Sequence, residues 1–307
     1  MIFSESVTWL RSVSLSSGCC MVWPFIGTLE RLLIKMIALD LDGTLAVENH
    51  QVLPATRVAL EALHVDGVEV VIATGRRYRT TRYVIENLGF DVCAVCNGGA
   101  LVKAPQQETL HADQLDVDPV LGFARSEGLT LFAFLEADNL GGPDFVIDGH
   151  TRWNELTQTY FANNRQWAES SDVLAGEARY LTAGIFDTRA KLSHFAEEIA
   201  RLFPGCYNTI VMPHLDSGYY YCEISAYHTN KWHGLTKLHE HLGVTAAQTC
   251  AVGDQLNDMA MVQAAGAGVA MGNAHAELKK VARFTCGDHM NNGILEVVRY
   301  IRDTNAG

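Results

Sequence analysis

Residues 36–41 (MIALDL) and 68–73 (VEVVIA) form two short runs in which apolar positions barely alternate with polar ones. A strand with one wet face alternates; a strand without alternation is buried on both faces, as in parallel sheets covered by helices on each side. Pro54 suits the first turn of a helix running to about Val65, with Val58, Leu60, Ala62 and Leu63 at roughly helical spacing. A second helix is expected around residues 79–88, and a third strand at 92–96. Strand, helix, strand, helix, strand in this order implies right-handed crossovers and an α/β, doubly wound parallel sheet of Rossmann-like type.

That rhythm lapses between about Asp113 and Ala226. Strands are expected at 129–135, 144–147, 180–186 and 207–212, and helices at 119–126, 151–161 and 189–203, which describes an inserted α+β domain. The parallel rhythm then resumes with a helix at 231–241, a strand at 249–252, a helix at 256–264, a strand at 268–271 and terminal helices. The expected organisation is therefore a core of residues 36–113 and 226–307 around a cap of residues 114–225. There is no internal repeat.

Residues 1–35 read as an N-terminal extension. The stretch 12–29 carries no charge, but Ser12, Ser14, Ser16, Ser17, Gly18, Pro24, Gly27 and Thr28 interrupt it, so neither a membrane span nor a signal peptide fits. Met36, directly before the first strand, is the expected start of the folded protein. The chain holds 35 acidic against 23 basic residues, a net charge of −12, which is the wrong sign for a nucleic-acid binder. Eight cysteines in 307 residues, without paired Cys/His spacing, supply neither a disulfide framework nor a zinc pattern. A reducing, cytoplasmic setting is expected, with no membrane partner.

Open parallel sheets bind ligands at the carboxyl ends of their strands. The first strand ends in Asp40-Leu41-Asp42-Gly43-Thr44-Leu45, the second in Thr74-Gly75-Arg76, the third in Asn97-Gly98-Gly99, and a late one in Gly253-Asp254-Gln255-Leu256-Asn257-Asp258. Asp40 and Asp42, two apart, project to one side if the strand continues, and Asp254 and Asp258 add negative charge to the same crevice. Four convergent carboxylates imply a hard cation, most simply Mg²⁺. A carboxylate can also attack phosphorus while a neighbouring acid protonates the leaving oxygen, and Asp40 and Asp42 suit those roles. The Thr74 hydroxyl, the Gly75 N–H and Lys231, at a helix start, can hold the other phosphate oxygens.

Taken singly, each of these residues has a plainer reading. Asp254 can be a helix N-cap with Asn257 in the first turn, and Lys231 a solvated cation. Jointly such readings do not explain an Asp-x-Asp at one strand end, Thr-Gly at the next and a second Asp cluster later. Cys93 and Cys96 face opposite sides of a strand and read as buried thiols, and His239 and His241 read as surface residues. Trp153, Tyr160, Phe161 and Trp167 read as core of the insert, with room for one or two of them at a substrate pocket.

The ordered set DLDGTL (40–45), TGR (74–76), Lys231 and GDQLND (253–258) resembles the four motifs of the haloacid dehalogenase superfamily. The position of the insert, with Asn97-Gly98-Gly99-Ala100, Glu223-Ile224-Ser225 and Met271-Gly272-Asn273-Ala274, resembles the Cof-type subfamily with a type IIB cap. The resemblance runs over nearly everything from Met36 onward, although the cap is matched only by its position and element order. It implies a Mg²⁺-dependent phosphatase of small phosphorylated metabolites, sugar phosphates above all, working through an aspartyl-phosphate. It also implies Asp40 as nucleophile and metal ligand, Asp42 as general acid/base and metal ligand through its carbonyl, and Asp254 as the remaining metal ligand. Asp258 is implied behind the ligands, and Leu41 (through its N–H), Thr74, Gly75, Lys231 and Asn257 as the phosphate-binding set. The rival readings are a phosphomutase, a phosphatase of a phosphorylated cofactor or glycoside, and a catalytically weak metal-dependent binding protein. One residue departs from the family pattern: Trp232 stands where a small residue usually follows the lysine, and can either pack on its helix or narrow the site. Oligomeric state is not legible.

Overall fold

The computed structural model describes residues 33–47, 51–136, 142–171, 180–214 and 217–307. The expectations for residues 1–32 lie outside them. The first half of the main sheet is built by β1 (Met36–Leu39), α1 (Pro54–Val65), β2 (Glu69–Ala73), α2 (Tyr78–Leu88) and β3 (Cys93–Cys96). An antiparallel pair, β4 (Leu101–Lys103) and β5 (Thr109–Ala112), follows. The chain then forms α3 (Asp118–Ser126), β6 (Leu131–Leu135), β7 (Phe145–Asp148), α4 (Glu155–Asn163), β8 (Ala168–Ser171), β9 (Tyr180–Asp187), α5 (Arg189–Leu202), β10 (Tyr207–Pro213) and β11 (Tyr220–Ala226). It returns through α6 (Lys231–Leu242), β12 (Thr249–Gly253), α7 (Met259–Ala264), β13 (Ala267–Ala270), α8 (Ala276–Val281), β14 (Phe284–Thr285) and α9 (Ile294–Ala306).

The main sheet runs β14-β13-β12-β1-β2-β3-β4-β5. It is parallel from β14 to β3, so β1 lies between β2 and β12, and the carboxyl ends of these three strands open on one edge. Met36, Ile37, Ala38 and Leu39 are all buried, as a strand covered on both faces requires. The β4–β5 pair was not expected from the sequence. Gly98 (φ 62°) and Gly99 (φ 115°) reverse the chain directly after β3 in a conformation that side chains with a Cβ rarely adopt.

The second sheet runs β10-β11-β9-β6-β7-β8, antiparallel except for β7 against β8. Leu192, Phe195 and Ile199 of α5 join Val120 and Leu121 of α3 on one face. Phe132, Phe145, Phe161 and Phe186 pack on the other, with Trp153 and Tyr160 half-buried beside them. Three expectations need correcting here. β8 and β11 were not foreseen; β11 (YYCEISA) mixes aromatic and polar residues over a half-buried strand, and its apolar positions are few. The helix expected from 151 starts only at Glu155, because the Asn154 side chain accepts from Thr157 N at 2.8 Å and caps it. The helix expected over 256–264 is a 3₁₀ turn at Leu256–Asp258 followed by α7. Among the described residues no helix is long and apolar enough to cross a membrane.

Candidate active site

β1 ends at Leu39, and the next residues turn at once. Asp40 N donates to Val252 O at 2.9 Å, which fixes Asp40 against β12, and Ala46 N closes the turn on Leu41 O at 2.8 Å. Gly43 sits in this turn at φ 80°, and a Cβ there would lie 2.5 Å from Asp254 Oδ2. The close approach of the two loops therefore depends on the absence of a side chain. Thr44 Oγ1 donates to Asp254 Oδ1 at 3.1 Å, and Asn273 Nδ2 donates to Gly43 O at 2.8 Å. The Met271–Ala274 string thus clamps the first loop from the far side.

Asp40, Asp254 and Asp258 bring one carboxylate oxygen each to within 4.8 Å of one another, and all three side chains are buried. Lys231 Nζ donates to Asp40 Oδ1 at 2.5 Å and to Asp258 Oδ1 at 2.6 Å. Asp258 Oδ2 accepts from the backbone N–H of Asp254 and Gln255, both at 2.9 Å, so its oxygens are engaged in building the β12 turn. Burial raises the Asp40 carboxyl well above its usual range; Lys231 opposes this, and the charges of Asp258 and Asp254 add to it. Burial and Asp258 raise Asp254 as well. Burial alone would lower the Lys231 ammonium, but Asp258 and Asp40 outweigh it and hold its proton more tightly than in water. Carboxylates that resist ionising beside one another are what a divalent cation relieves, and the all-oxygen donor set of Asp40 and Asp254 fits a hard one.

The Asp42 side chain does not join this cluster, contrary to the four-carboxylate expectation. Asp40 already lies beyond the strand, so the two-residue alternation no longer applies. The Asp42 carboxylate instead accepts from Arg76 Nε at 2.6 Å and from Arg76 Nη2, and is more than half exposed. Leu41 follows Asp40 in the turn with its side chain buried. Thr74, buried at the end of β2, accepts from Arg76 N at 3.2 Å through its hydroxyl. Asn257 Oδ1 is buried without a hydrogen-bond partner, and its Nδ2 lies 4.0 Å from where a Cβ on Gly75 would stand. Thr74, Gly75, Asn257 and Lys231 therefore approach from the ends of β2 and β12 and the start of α6.

Lys231 is delivered by close packing. A Cβ at Gly99 would meet Asn230 O at 2.0 Å, and one at Gly234 would meet Val95 Cγ1 at 2.4 Å, so these glycines let α6 close onto β3. Trp232 packs against the main core, edge-on to His239 with ring centroids 5.1 Å apart. His239 is half-buried, its Nε2 2.9 Å from Thr249 Oγ1, which corrects its assignment to the surface. Cys93 and Cys96 are buried free thiols.

Glu223 of β11 was named in the sequence only as part of a motif and given no role. Its Oε2 lies 3.6 Å from a Cβ built on Gly75 and its Oε1 2.4 Å from one on Gly98, so the second sheet lays this carboxyl over the loops of the first. Further ties join the sheets: Arg77 and Arg79 both reach Asp144, at 2.9 and 2.7 Å, and Lys103 reaches Glu136 at 2.9 Å. Burial raises Glu223 from 4.5 to about 7, with Lys231 opposing. A raised carboxyl stabilises the fold below its unfolded value of 4.5, and that contribution is lost as pH rises through about 7. Glu223→Gln, uncharged at any pH, is therefore expected to match the parent near pH 5. At pH 8 in EDTA it should melt roughly 2–6 °C higher, for roughly 1–2 kcal/mol after discounting solvent screening. Thermal scans at the two pH values check this, and a difference that ignores pH overturns it.

A family model described as haloacid dehalogenase-like hydrolase matches residues 37–298. Phosphatase YwpJ of Bacillus subtilis is 26% identical over 292 residues, covering 87% of this chain and 100% of its own. The pyridoxal phosphate phosphatase YbhA of Escherichia coli is 28% identical over 279 residues, covering 86% of this chain and 97% of its own. The solved structure of a haloacid dehalogenase subclass IIB sugar phosphatase superimposes with a TM-score of 0.70 at 22% identity, over 87% of this chain and 99% of that one. It shows that the two share a fold.

Proposed function

The chain belongs to the haloacid dehalogenase-like hydrolases, and from that premise we propose a Mg²⁺-dependent phosphatase that moves a phosphoryl group from a small metabolite, by preference a sugar phosphate, to Asp40 and then to water. It is a phosphoric monoester hydrolase, as its named relatives are phosphatases. The observation that carries the fuller reading is Asp40, buried, bonded to Lys231, and grouped with Asp254 at the edge where Thr74 and Asn257 converge.

In the first step an Asp40 oxygen attacks phosphorus and the bond to the leaving oxygen breaks, with Asp42 giving that oxygen its proton. This requires the Asp42 carboxyl to leave Arg76 and turn inward. In the second step Asp42 takes a proton from water, whose oxygen attacks phosphorus and frees Asp40 and inorganic phosphate. Lys231, Thr74, the N–H groups of Leu41 and Gly75, and Asn257 hold the phosphoryl oxygens as negative charge shifts among them. Asp40, Asp254 and the Asp42 carbonyl would hold Mg²⁺, which when bound would supply the positive charge that lets an anionic nucleophile approach an anionic phosphate. Asp258 positions Lys231 and the β12 turn. The segment 114–225 acts as the cap, and Glu223 supports a substrate that offers hydroxyl donors, as sugar phosphates do. The expected setting is the cytoplasm.

Phosphate release from a panel of sugar phosphates, pyridoxal phosphate and phosphorylated nucleosides, with Mg²⁺ and with EDTA, tests the reading. Chelation is expected to lower release about 10³-fold or more, corresponding to several kcal/mol of lost transition-state stabilisation. Asp254→Asn should raise the Mg²⁺ concentration needed for half-activity at least about 10-fold. Release that persists in EDTA overturns the metal assignment, and preference for a substrate without free hydroxyls overturns the sugar-phosphate one.

A further inference from the structure

The chain crosses between the two sheets twice, once after β5 and once after β11, and the two crossings meet. Asp113 stands in the first and is buried, with its N–H donating to Ala100 O at 2.7 Å. His111, near the end of β5, places Nε2 at 2.7 Å from Asp113 Oδ1. His228 in the second crossing places its Nε2 at 3.4 Å from the same oxygen, and His233 in the first turn of α6 places its own at 3.5 Å. Thr229 occupies the other carboxylate oxygen by donating its hydroxyl to Oδ2. Three imidazoles from three segments thus aim the same ring nitrogen at one buried oxygen.

Hydrogen bonding does not account for His233. His111 and, at longer range, His228 are within bonding distance of Oδ1, while His233 Nε2 is buried and has no hydrogen-bond partner. Burial lowers His233 despite the opposing charge of Asp113, which favours the neutral, ligating imidazole. Burial pushes Asp113 up, but the bonds from Thr229 and His111 outweigh this and hold it below its usual value. Metal bonds of 2.0–2.1 Å in a tetrahedron separate ligand atoms by about 3.3–3.4 Å. His228 and His233 stand 3.4 and 3.5 Å from Oδ1, close to that spacing, and the ligand atoms of His111, Asp113 and His233 all lie within 4.8 Å of one another.

We propose that His111, Asp113, His228 and His233 form a second metal-binding site, for a borderline transition ion such as Zn²⁺, spanning both crossings. Three nitrogens and one carboxylate suit Zn²⁺ and disfavour Mg²⁺, so the site is chemically distinct from the all-oxygen cluster at Asp40 and Asp254. An ion there joins the two crossings to α6, and His233 lies two residues from Lys231, with its N–H donating to Asn230 Oδ1 at 3.0 Å. It would brace the passage between the sheets. The proposal stands on these residues alone and is independent of the phosphatase reading.

Equilibrium dialysis of the full chain against buffered Zn²⁺ in excess Mg²⁺, read by elemental analysis, tests it. The parent and the Asp254→Asn variant are each expected to hold about one equivalent with a four-ligand site intact. His233→Ala should weaken binding by more than about 100-fold, beyond the loss an outer-shell partner causes. His228→Ala, at a ring more than half exposed, should weaken it as well and serves if His233→Ala does not fold. Substituted Co²⁺ should give the visible absorption of a tetrahedral site in the parent and in Asp254→Asn, and lose it in both histidine variants. Zn²⁺ binding that vanishes in Asp254→Asn, or that is unchanged in the histidine variants, overturns the proposal.

Discussion

Asp40→Asn is expected to lower phosphate release by at least about 10⁴-fold, on the scale of losing a covalent nucleophile. An amide oxygen is a poor nucleophile toward phosphorus and contributes no charge to a metal. The fold should survive the change. Asn is nearly the same size as Asp, and the carboxyl it replaces is one that burial and the neighbouring charges of Asp258 and Asp254 already oppose. Lys231 keeps its bond to Asp258 at 2.6 Å, so no buried charge is left without a partner. In EDTA at pH 8 the variant should therefore melt no lower than the parent. Loss of activity with an unchanged or higher Tm separates chemistry from folding. Substantial turnover by a folded Asp40→Asn protein would remove the nucleophile from the mechanism.

The strand ends that carry this chemistry were readable because parallel strands buried on both faces leave an unmistakable apolar run, and the residues after such a run are at the binding edge. Met36–Leu39, Glu69–Ala73 and Thr249–Gly253 are of that kind, which is why the sequence alone groups Asp40, Thr74 and Asp254. What could not be read was direction. The Asp-x-Asp alternation assumes that the strand continues, whereas β1 stops one residue before Asp40 and the turn sends the Asp42 carboxylate to Arg76. The second sheet was harder because β8 and β11 are short or mixed in pattern, with few apolar positions to mark a period. Glu223 therefore appeared as part of a motif with no position in space. The histidine group at the crossings joins residues 111, 228 and 233, brought together only when the inserted sheet returns its chain to the start of α6. No local spacing carries that signal, and His239 and His241, which are two apart in sequence, are not part of it.

Lys231→Ala should have the largest effect on stability. Its ammonium is buried between Asp40 and Asp258, and removing one member of a buried ion group leaves the others desolvated and unpaired, at a cost of about 3–5 kcal/mol. For a chain of this size that corresponds to a Tm lower by on the order of 10 °C in EDTA. The deficit should depend on pH in a determined direction. The folded Asp40 carboxyl is raised above its unfolded value even with Lys231 present, and Lys231 is the nearby charge that lowers it. Without the ammonium the folded state binds its proton still more tightly than the unfolded chain, so stability falls as pH rises. The variant should thus lie closest to the parent near pH 5 and furthest below it at pH 8. A divalent cation should recover part of the loss, because it supplies positive charge to the carboxylates that the lysine no longer reaches. On the proposed mechanism activity should not recover with it, since Lys231 would also be the donor to the phosphoryl oxygens. Thermal scans of the variant at pH 5 and pH 8, with EDTA and with Mg²⁺, decide the matter: a deficit that is the same in all four conditions would mean that Lys231 acts through packing and not through its charge.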